Sequence, residues 1–530
     1  MATTRGTKAL KNPIRMERRN FLKQALITVA GSAVLPGTVK SMALWEEQPP
    51  FIIDAKNPGK FFEPHWNKGV GAGRANDASR PVWGDQLSVA AKACGFKYAR
   101  FTGIFHDDMG VYNGGLYNWT LVDDLLDKTL KAGVKPFIAF SFFPKDIAGS
   151  DATQFSWNAR VVPPTDFTKW NDLVTEFTKH IVGKYGEEEV NKWYFETWNE
   201  PDLRTFWDGT KTQYFTLYKT TVTAMKAVAP KVKVGGPATS GLSGDTQGAW
   251  LDEFLGYCRQ EQLAVDFVTA HPYPSDSAGK PRELGATAKD LTALRNTVSR
   301  NFPQAEIFVT RWSTSPIPSD AVRDDLPAAA FIVKENVDAV GLVNGVFYSS
   351  FIDGPEELKD IFHGGQGLMN ASGIAKPAFH AYRMLNALGE ELLYNKDGIV
   401  VTRHKDSKKI SAILYNIPVT VTTGVSGGDR AAVTALMSKG ETKLYSFKIQ
   451  NMHPDARFNV DILSKEDGNA IFQWAKAGSP EPLNRDQVEV MKQVANGLNE
   501  EQVLSSATGV LYIEKNLAPW DVVLIDELSK

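Results

Sequence analysis

TDFTKWNDLVTEFTKHIVGKYGEEEVNKWYFETWNE, residues 165–200, is the stretch on which the fold turns. Its first half sets Trp170, Leu173, Val174, Phe177 and Ile181 three and four residues apart, the spacing of one buried helical face. A Pro-Pro pair stands just before Asp166, suitable punctuation for a helix start. The second half, KWYFETWNE (192–200), is short, apolar and aromatic, and reads as a strand. Helix and strand together make one unit, and the unit recurs from about residue 65 to 385. Further strand candidates are NKGVGAG (67–73), FKYARFTGI (96–104), VKPFIAFSF (134–142), KVKVGGPAT (231–239), VDFVTAHPY (265–273), EIFVTRWST (306–314) and NGVFYSSFID (344–353). Eight strands alternating with amphipathic helices predict a closed (β/α)8 TIM barrel rather than an open doubly wound sheet.

The texture changes after residue 385. Period-two runs such as DGIVVTRHK, KKISAILYNI, TKLYSFKIQN, RFNVDILSK and DVVLIDEL, divided by Gly, Asp and Asn, predict an antiparallel β-sandwich over 386–530, interrupted by one helical stretch, LNRDQVEVMKQVANG. Residues 44–64 read as an extension whose run FIIDAK (51–56) suits a further sandwich strand. At the very start, Arg18 and Arg19 precede Phe21 and Leu22, an apolar run covers 25–35, and Ser41-Met42-Ala43 offers a small-x-small cleavage site. Residues 1–43 thus resemble a twin-arginine export signal, so the mature chain is expected to begin at Leu44 and to be periplasmic or secreted. The apolar run is too short to span a bilayer, so no membrane attachment is expected once the signal is removed.

Among 530 residues, 59 Lys and Arg nearly balance 61 Asp and Glu, for a net charge of −2, which points away from nucleic acid as a partner. Thirteen Trp, 15 Tyr and 29 Phe supply flat faces that suit sugar rings as well as cores. Cys94 and Cys258 lie in helical segments and are expected to be small buried hydrophobes. Neither metal-ligand spacing nor a nucleotide fingerprint appears, so no metal and no cofactor is expected.

A barrel of this type keeps its chemistry at the C-terminal ends of the strands. There the sequence offers His106, Asp107 and Asp108 after the second strand, Asn199 and Glu200 after the fourth, His271 and Tyr273 at the sixth, Arg311 and Trp312 at the seventh, and Asp353, Glu356 and Glu357 after the eighth. Glu200, beside Asn199 and among Trp198, Phe206 and Trp207, is expected to have its carboxyl pKa raised by desolvation, as a general acid near neutral pH requires. A structural cap at the strand-to-loop turn accounts equally well for the same residues. Glu196, four residues earlier on the same strand face, is expected to lie deeper as an internal partner.

WNEP at strand four and VTRW at strand seven, with YARFTGIFHDDMGVY, KPFIAFSFFP, VGGPATSG, VDFVTAHPYP, DGPEE, FHGGQGLMNASGIAKPAFHAYRMLNALG and APWDVVLIDEL in the same order, resemble glycoside hydrolase family 39. That resemblance implies a glycosidase acting on β-xyloside, uronic-acid or arabinose-containing glycans, with a carbohydrate as its partner. It also implies that Glu200 is the general acid/base, that Asn199 bonds the sugar 2-hydroxyl, and that His106, Asp107, His271, Tyr273, Trp312 and Asp353 line the substrate. The pattern departs at two positions. Arg311 stands where the family keeps its glutamate nucleophile, and Ser349 where a Trp is common. Retaining hydrolysis needs two carboxyl groups about 5 to 5.5 Å apart, and a guanidinium cannot be one of them. Three possibilities remain open from the sequence. Another carboxylate, Asp353, Glu356 or Asp108, takes the anionic role while Arg311 binds an acidic sugar; the protein binds sugar without turnover; or only the scaffold is used, for interaction.

Overall fold

The computed structural model describes residues 51–242, 247–354 and 361–528. The export-signal expectation on 1–43, and Glu356 and Glu357, fall outside the described residues. Eight parallel strands close on one another: β1 (Gly69–Arg74), β2 (Tyr98–Thr102), β3 (Lys135–Phe140), β4 (Tyr194–Thr197), β5 (Lys233–Thr239), β6 (Phe267–Ala270), β7 (Glu306–Trp312) and β8 (Gly345–Tyr348), with β8 pairing back to β1 at Tyr348–Val70. Seven of the eight candidate strands in the sequence contain one of them, and the first, 67–73, falls one residue short of the end of β1 at Arg74. The helix from the opening stretch spans Thr168–Tyr185; it buries Trp170, Leu173, Val174, Phe177 and Ile181 against the barrel and stops at Gly186, whose φ of 81° suits glycine.

Inside the barrel, Phe137, Tyr194, Phe267, Phe308 and Phe347 form a plug of aromatic rings. Two residues further along β4 and β7, Glu196 and Thr310 point the same way, so the lower layer is apolar and the next is polar. The polar layer carries the site. Gly71 leaves room for the β8 end, where a Cβ would meet the Ser349 carbonyl oxygen at 1.8 Å.

The C-terminal region holds a seven-stranded antiparallel sheet, with Ile399–Arg403, Ile410–Tyr415, Val522–Glu527 and Arg457–Leu463 at its centre, and a three-stranded sheet facing it. Ile53, Val401, Leu414, Phe447, Ile449, Val460 and Ile525 pack between them. The strand Phe51–Asp54 runs parallel to Lys443–Gln450, a departure from an all-antiparallel sandwich. The expected helix is Arg485–Asn496, capped by Asn484 and Gln487; Arg430–Met437 and Ala470–Lys476 are additional helices. Cys94 and Cys258 are both buried and free.

Candidate active site

A cavity of about 360 Å³ opens at the C-terminal ends of the strands, a volume that suits a sugar unit. Gly71, Arg100, Asn199, Arg311, Ser349 and Gln366 line it on the barrel side. A larger cavity of about 540 Å³ lies among the sandwich strands at Arg403, Lys408, Met452 and Glu527 and contains none of the candidate residues.

The end of β4 is bent into an unusual conformation. Trp198 and Glu200 both have left-handed backbone angles, with φ of 72° and 51°. Such angles cost roughly 1–3 kcal/mol each for a non-glycine residue and concentrate at functional sites. Packing holds them in place: Trp198 is buried 4.5 Å from the Phe143 ring and donates from Nε1 to the Phe206 carbonyl at 2.8 Å. The bend sends Asn199 toward Arg100, whose Nη2 donates to Asn199 Oδ1 at 2.9 Å, and Glu200 toward His271, with Oε1 to Nδ1 at 2.7 Å. Burial drives the Glu200 carboxyl upward, but His271, Arg311 and Arg100 more than reverse it and hold the pKa below the usual carboxylate range. The rise expected from the aromatic neighbours is therefore reversed, because two guanidinium groups and an imidazole stand closer in effect than the sequence order suggests.

β7 explains how Arg311 reaches the cavity. Phe308 and Thr310 face the barrel interior, so strict alternation would turn Arg311 outward and Trp312 inward. The pairing between β7 and β8 shifts register between Val309 and Trp312, and a bulge of this kind re-aims the side chain beside it. Arg311 consequently lines the cavity, donates from Nη2 to Gln366 Oε1 at 3.0 Å, and brings Nη1 within 4.0 Å of Glu200 Oε1. Trp312 turns the other way, fully buried in a small space with Glu335 and Val309.

The remaining sequence-named residues take distinct places. His271 is fully buried and bridges Glu200 to Thr310. Tyr273 is buried near Arg311 and Glu200, its phenol pushed up by burial against the pull of the Arg311 cation. His106 receives the Asp108 amide and meets the edge of Trp157 at 5.4 Å. Asp107 accepts from the Lys145 amide and Arg160, tying two loops together. The other carboxylates that could replace a nucleophile are engaged. Asp353 is completely buried and paired with Lys376 at 2.8 Å, Asp108 meets Arg74 at 2.7 Å, and Glu196 takes two donors from Arg100 at 2.8 and 2.5 Å.

One wall of the cavity was not foreseen. The loop between β3 and its helix folds into a small hairpin through the Gln154–Ala159 bridge, with Phe155 and Asn158 both at φ 61°. It presents Phe155 and Trp157, stacked at 5.0 Å, beside Phe142 and Phe206, while the Arg74 guanidinium lies 4.6 Å from the Trp157 ring. The only sequence signal was the cluster of aromatics in QFSWN, residues 154–158.

A closed (β/α)8 barrel with an aromatic-walled cavity at its strand ends and an Asn-Glu pair on β4 is the frame of a glycosidase. The chain belongs to glycosyl hydrolases family 39, whose family model matches residues 51–512. It is 34% identical over 504 residues to a beta-xylosidase of Geobacillus stearothermophilus, covering 90% of this chain and 95% of that one. In structure it is similar to a GH39 enzyme from Xanthomonas axonopodis pv. citri, with a TM-score of 0.78 and 28% identity over 90% of this chain and 97% of that one. It is also similar to a monomeric beta-xylosidase from Caulobacter crescentus CB15, with a TM-score of 0.77 and 29% identity over 90% and 99%.

Proposed function

We propose that the protein acts on a β-xyloside-type glycan that carries an acidic sugar, with Glu200 exchanging the proton of the glycosidic oxygen and Arg311 fixing the substrate's carboxylate. The observation behind this is the placement of Arg311 in the cavity, 4.0 Å from Glu200, at the position that the family resemblance gives to the nucleophile. A guanidinium cannot attack an anomeric carbon, so no covalent glycosyl-enzyme forms through residue 311. A fixed cation also opposes the positive charge of the oxocarbenium-like transition state. A substrate carboxylate held in the planar guanidinium fork offsets that charge and returns an anion to the reacting centre. Water is then the attacking group, entering from the face opposite Glu200 and releasing its proton to solvent, and the anomeric configuration inverts.

Sugar binding without turnover is the second reading, favoured by the engagement of Asp353, Asp108 and Glu196 with cations. One experiment separates the two: incubation with aryl β-xylosides and with uronate-bearing xylo-oligosaccharides, following products by proton NMR and binding by calorimetry. Inverted product from the acidic substrate, abolished by Glu200→Gln, supports the first reading. Binding of the acidic oligosaccharide with no product under any condition supports the second. We also propose that residues 1–43 direct export. Amino-terminal sequencing of the mature protein is expected to begin at Leu44, and an intact leader on the exported protein would overturn this.

A further inference from the structure

The hydrogens of the network behind Glu200 can be counted. Arg100 donates from Nε and Nη2 to Glu196 Oε2, and Glu196 Oε1 accepts the Thr310 hydroxyl at 2.8 Å. Threonine has one hydroxyl hydrogen, and here it is committed to Glu196. Thr310 Oγ1 therefore faces His271 Nε2, 3.0 Å away, as an acceptor, and Nε2 must carry a hydrogen. An imidazole protonated only at Nε2 offers a lone pair at Nδ1. An ionised Glu200 offers only lone pairs at Oε1. Two acceptors cannot rest 2.7 Å apart where the side chains are 0% and 6% exposed and water cannot intervene.

We propose that Glu200 and His271 hold one shared proton between Oε1 and Nδ1 at neutral pH, and that His271 is the positioning residue that keeps this proton available to Glu200. The charged and titratable groups around the dyad are Arg311 and Arg100, which draw the proton away, Glu196 and Asp202, which hold it, and the phenol of Tyr273. Burial, with Arg100, pulls the His271 pKa below its ordinary value against Glu200 and Glu196, so the proton count stands on the 2.7 Å contact and the committed Thr310 hydroxyl, not on the surrounding charges. The dyad titrates as a unit, and its proton belongs to the pair rather than to either residue. In the reaction, the leaving oxygen takes the shared proton as its bond to the anomeric carbon breaks, leaving the Glu200 carboxylate beside His271 with its hydrogen on Nε2. The attacking water, on the opposite face of the ring, gives its proton to solvent, and a proton taken up from solvent after the product leaves restores the pair. This catalytic consequence rests on the proposed role of Glu200, whereas the proton count does not.

Nitrogen-15 NMR of histidine-labelled full chain, with carbon-13 labelling of glutamate carboxyls and His271 assigned by difference, tests it. At pH near 7, the expected outcome is an imidazolium beside a carboxylate, or a neutral imidazole with Nε2–H beside a carboxylic acid. A neutral imidazole with its hydrogen on Nδ1 and a bare Nε2, beside an ionised Glu200, overturns the proposal, whatever the turnover of the preparation. Thr310→Val removes the acceptor of Nε2 and is expected to release the fixed tautomer; an unchanged Nε2–H signal would refute the hydrogen count. If turnover is found, His271→Asn is expected to lower kcat about 10- to 100-fold with little change in KM and to displace the pH profile. An equal loss at every pH would mark His271 as merely structural.

Discussion

Replacing Arg311 by methionine removes the charge while keeping much of the side-chain bulk. Two unit charges 4.0 Å apart, the separation of Nη1 from Glu200 Oε1, interact by about 4 kcal/mol at an effective dielectric near 20 and about 1 kcal/mol in bulk water. The Arg311 side chain is 29% exposed, so the loss should lie between those limits. Arg311 helps hold the Glu200 pKa down, so its removal raises that pKa. In the wild type, the stability contributed by the ionised Glu200 is fully present above the ordinary carboxyl value of 4.5 and is lost only as pH falls through the lower folded value. In Arg311→Met, that loss begins at higher pH. Carbon-13 titration of Glu200 and urea melts across acid pH read both effects. The acidic glycan should bind about 10- to 100-fold more weakly, the worth of a hydrogen bond to a charged group, while a neutral xyloside binds as before. An unmoved Glu200 titration, or equal weakening for both ligands, would refute the assignment of Arg311.

Arg311→Glu is expected to leave aryl β-xyloside turnover within about tenfold of wild type, since Gln366 and Ser349 also shape the cavity for a guanidinium; the tenfold mark corresponds to 1.4 kcal/mol, and a much larger gain would mean a single lost nucleophile. Lys376→Met strands Asp353 and Asp324, all three fully buried, and should cost about 3–5 kcal/mol in urea denaturation. Glu335 lies behind Trp312 with its pKa raised by burial from 4.5 to about 7, so the folded state holds a proton that the unfolded chain has released. Stability therefore falls as pH rises from 4.5 to about 7. Glu335→Gln should abolish that slope, with a gain at pH 8 of up to about 3 kcal/mol, at 1.36 kcal/mol per unit. Trp157→Ala should weaken glycan binding by about 1 kcal/mol beyond lost area, read by calorimetry.

The barrel was legible because its evidence is local: eight apolar runs and the helical spacing between them survive in any short window of text. Glu200 and Arg311 were legible for a different reason, as each follows a strand whose end could be located. What escaped was everything that depends on distant partners or backbone detail. The bulge before Trp312 leaves no mark in VTRW, yet it decides which of two adjacent residues meets the cavity. Glu200 and His271 are 71 residues apart, and the cation that engages Asp353 arrives 23 residues later at Lys376. The helices Arg430–Met437 and Ala470–Lys476 are too short for periodicity to announce them. The Phe155–Trp157 hairpin sits in a long loop without repeating pattern, and the aromatics of QFSWN give no sign of its left-handed backbone angles.

Ile53 pairs with Ile449, and that single register spans nearly the whole described chain. During synthesis, the strand Phe51–Asp54 emerges early and must wait for Lys443–Gln450 before it has a hydrogen-bonding neighbour. Lys443–Gln450 in turn pairs with Leu511–Leu517, near the carboxyl end. The small sheet thus cannot assemble until most of the chain has been made, and its closure carries the loop entropy of the long segment between Asp54 and Lys443. A ribosome-bound chain can complete the barrel while this amino-terminal strand still hangs loose. Trimming a few residues past position 50 would then leave the barrel to fold but deprive the sandwich of its closing edge.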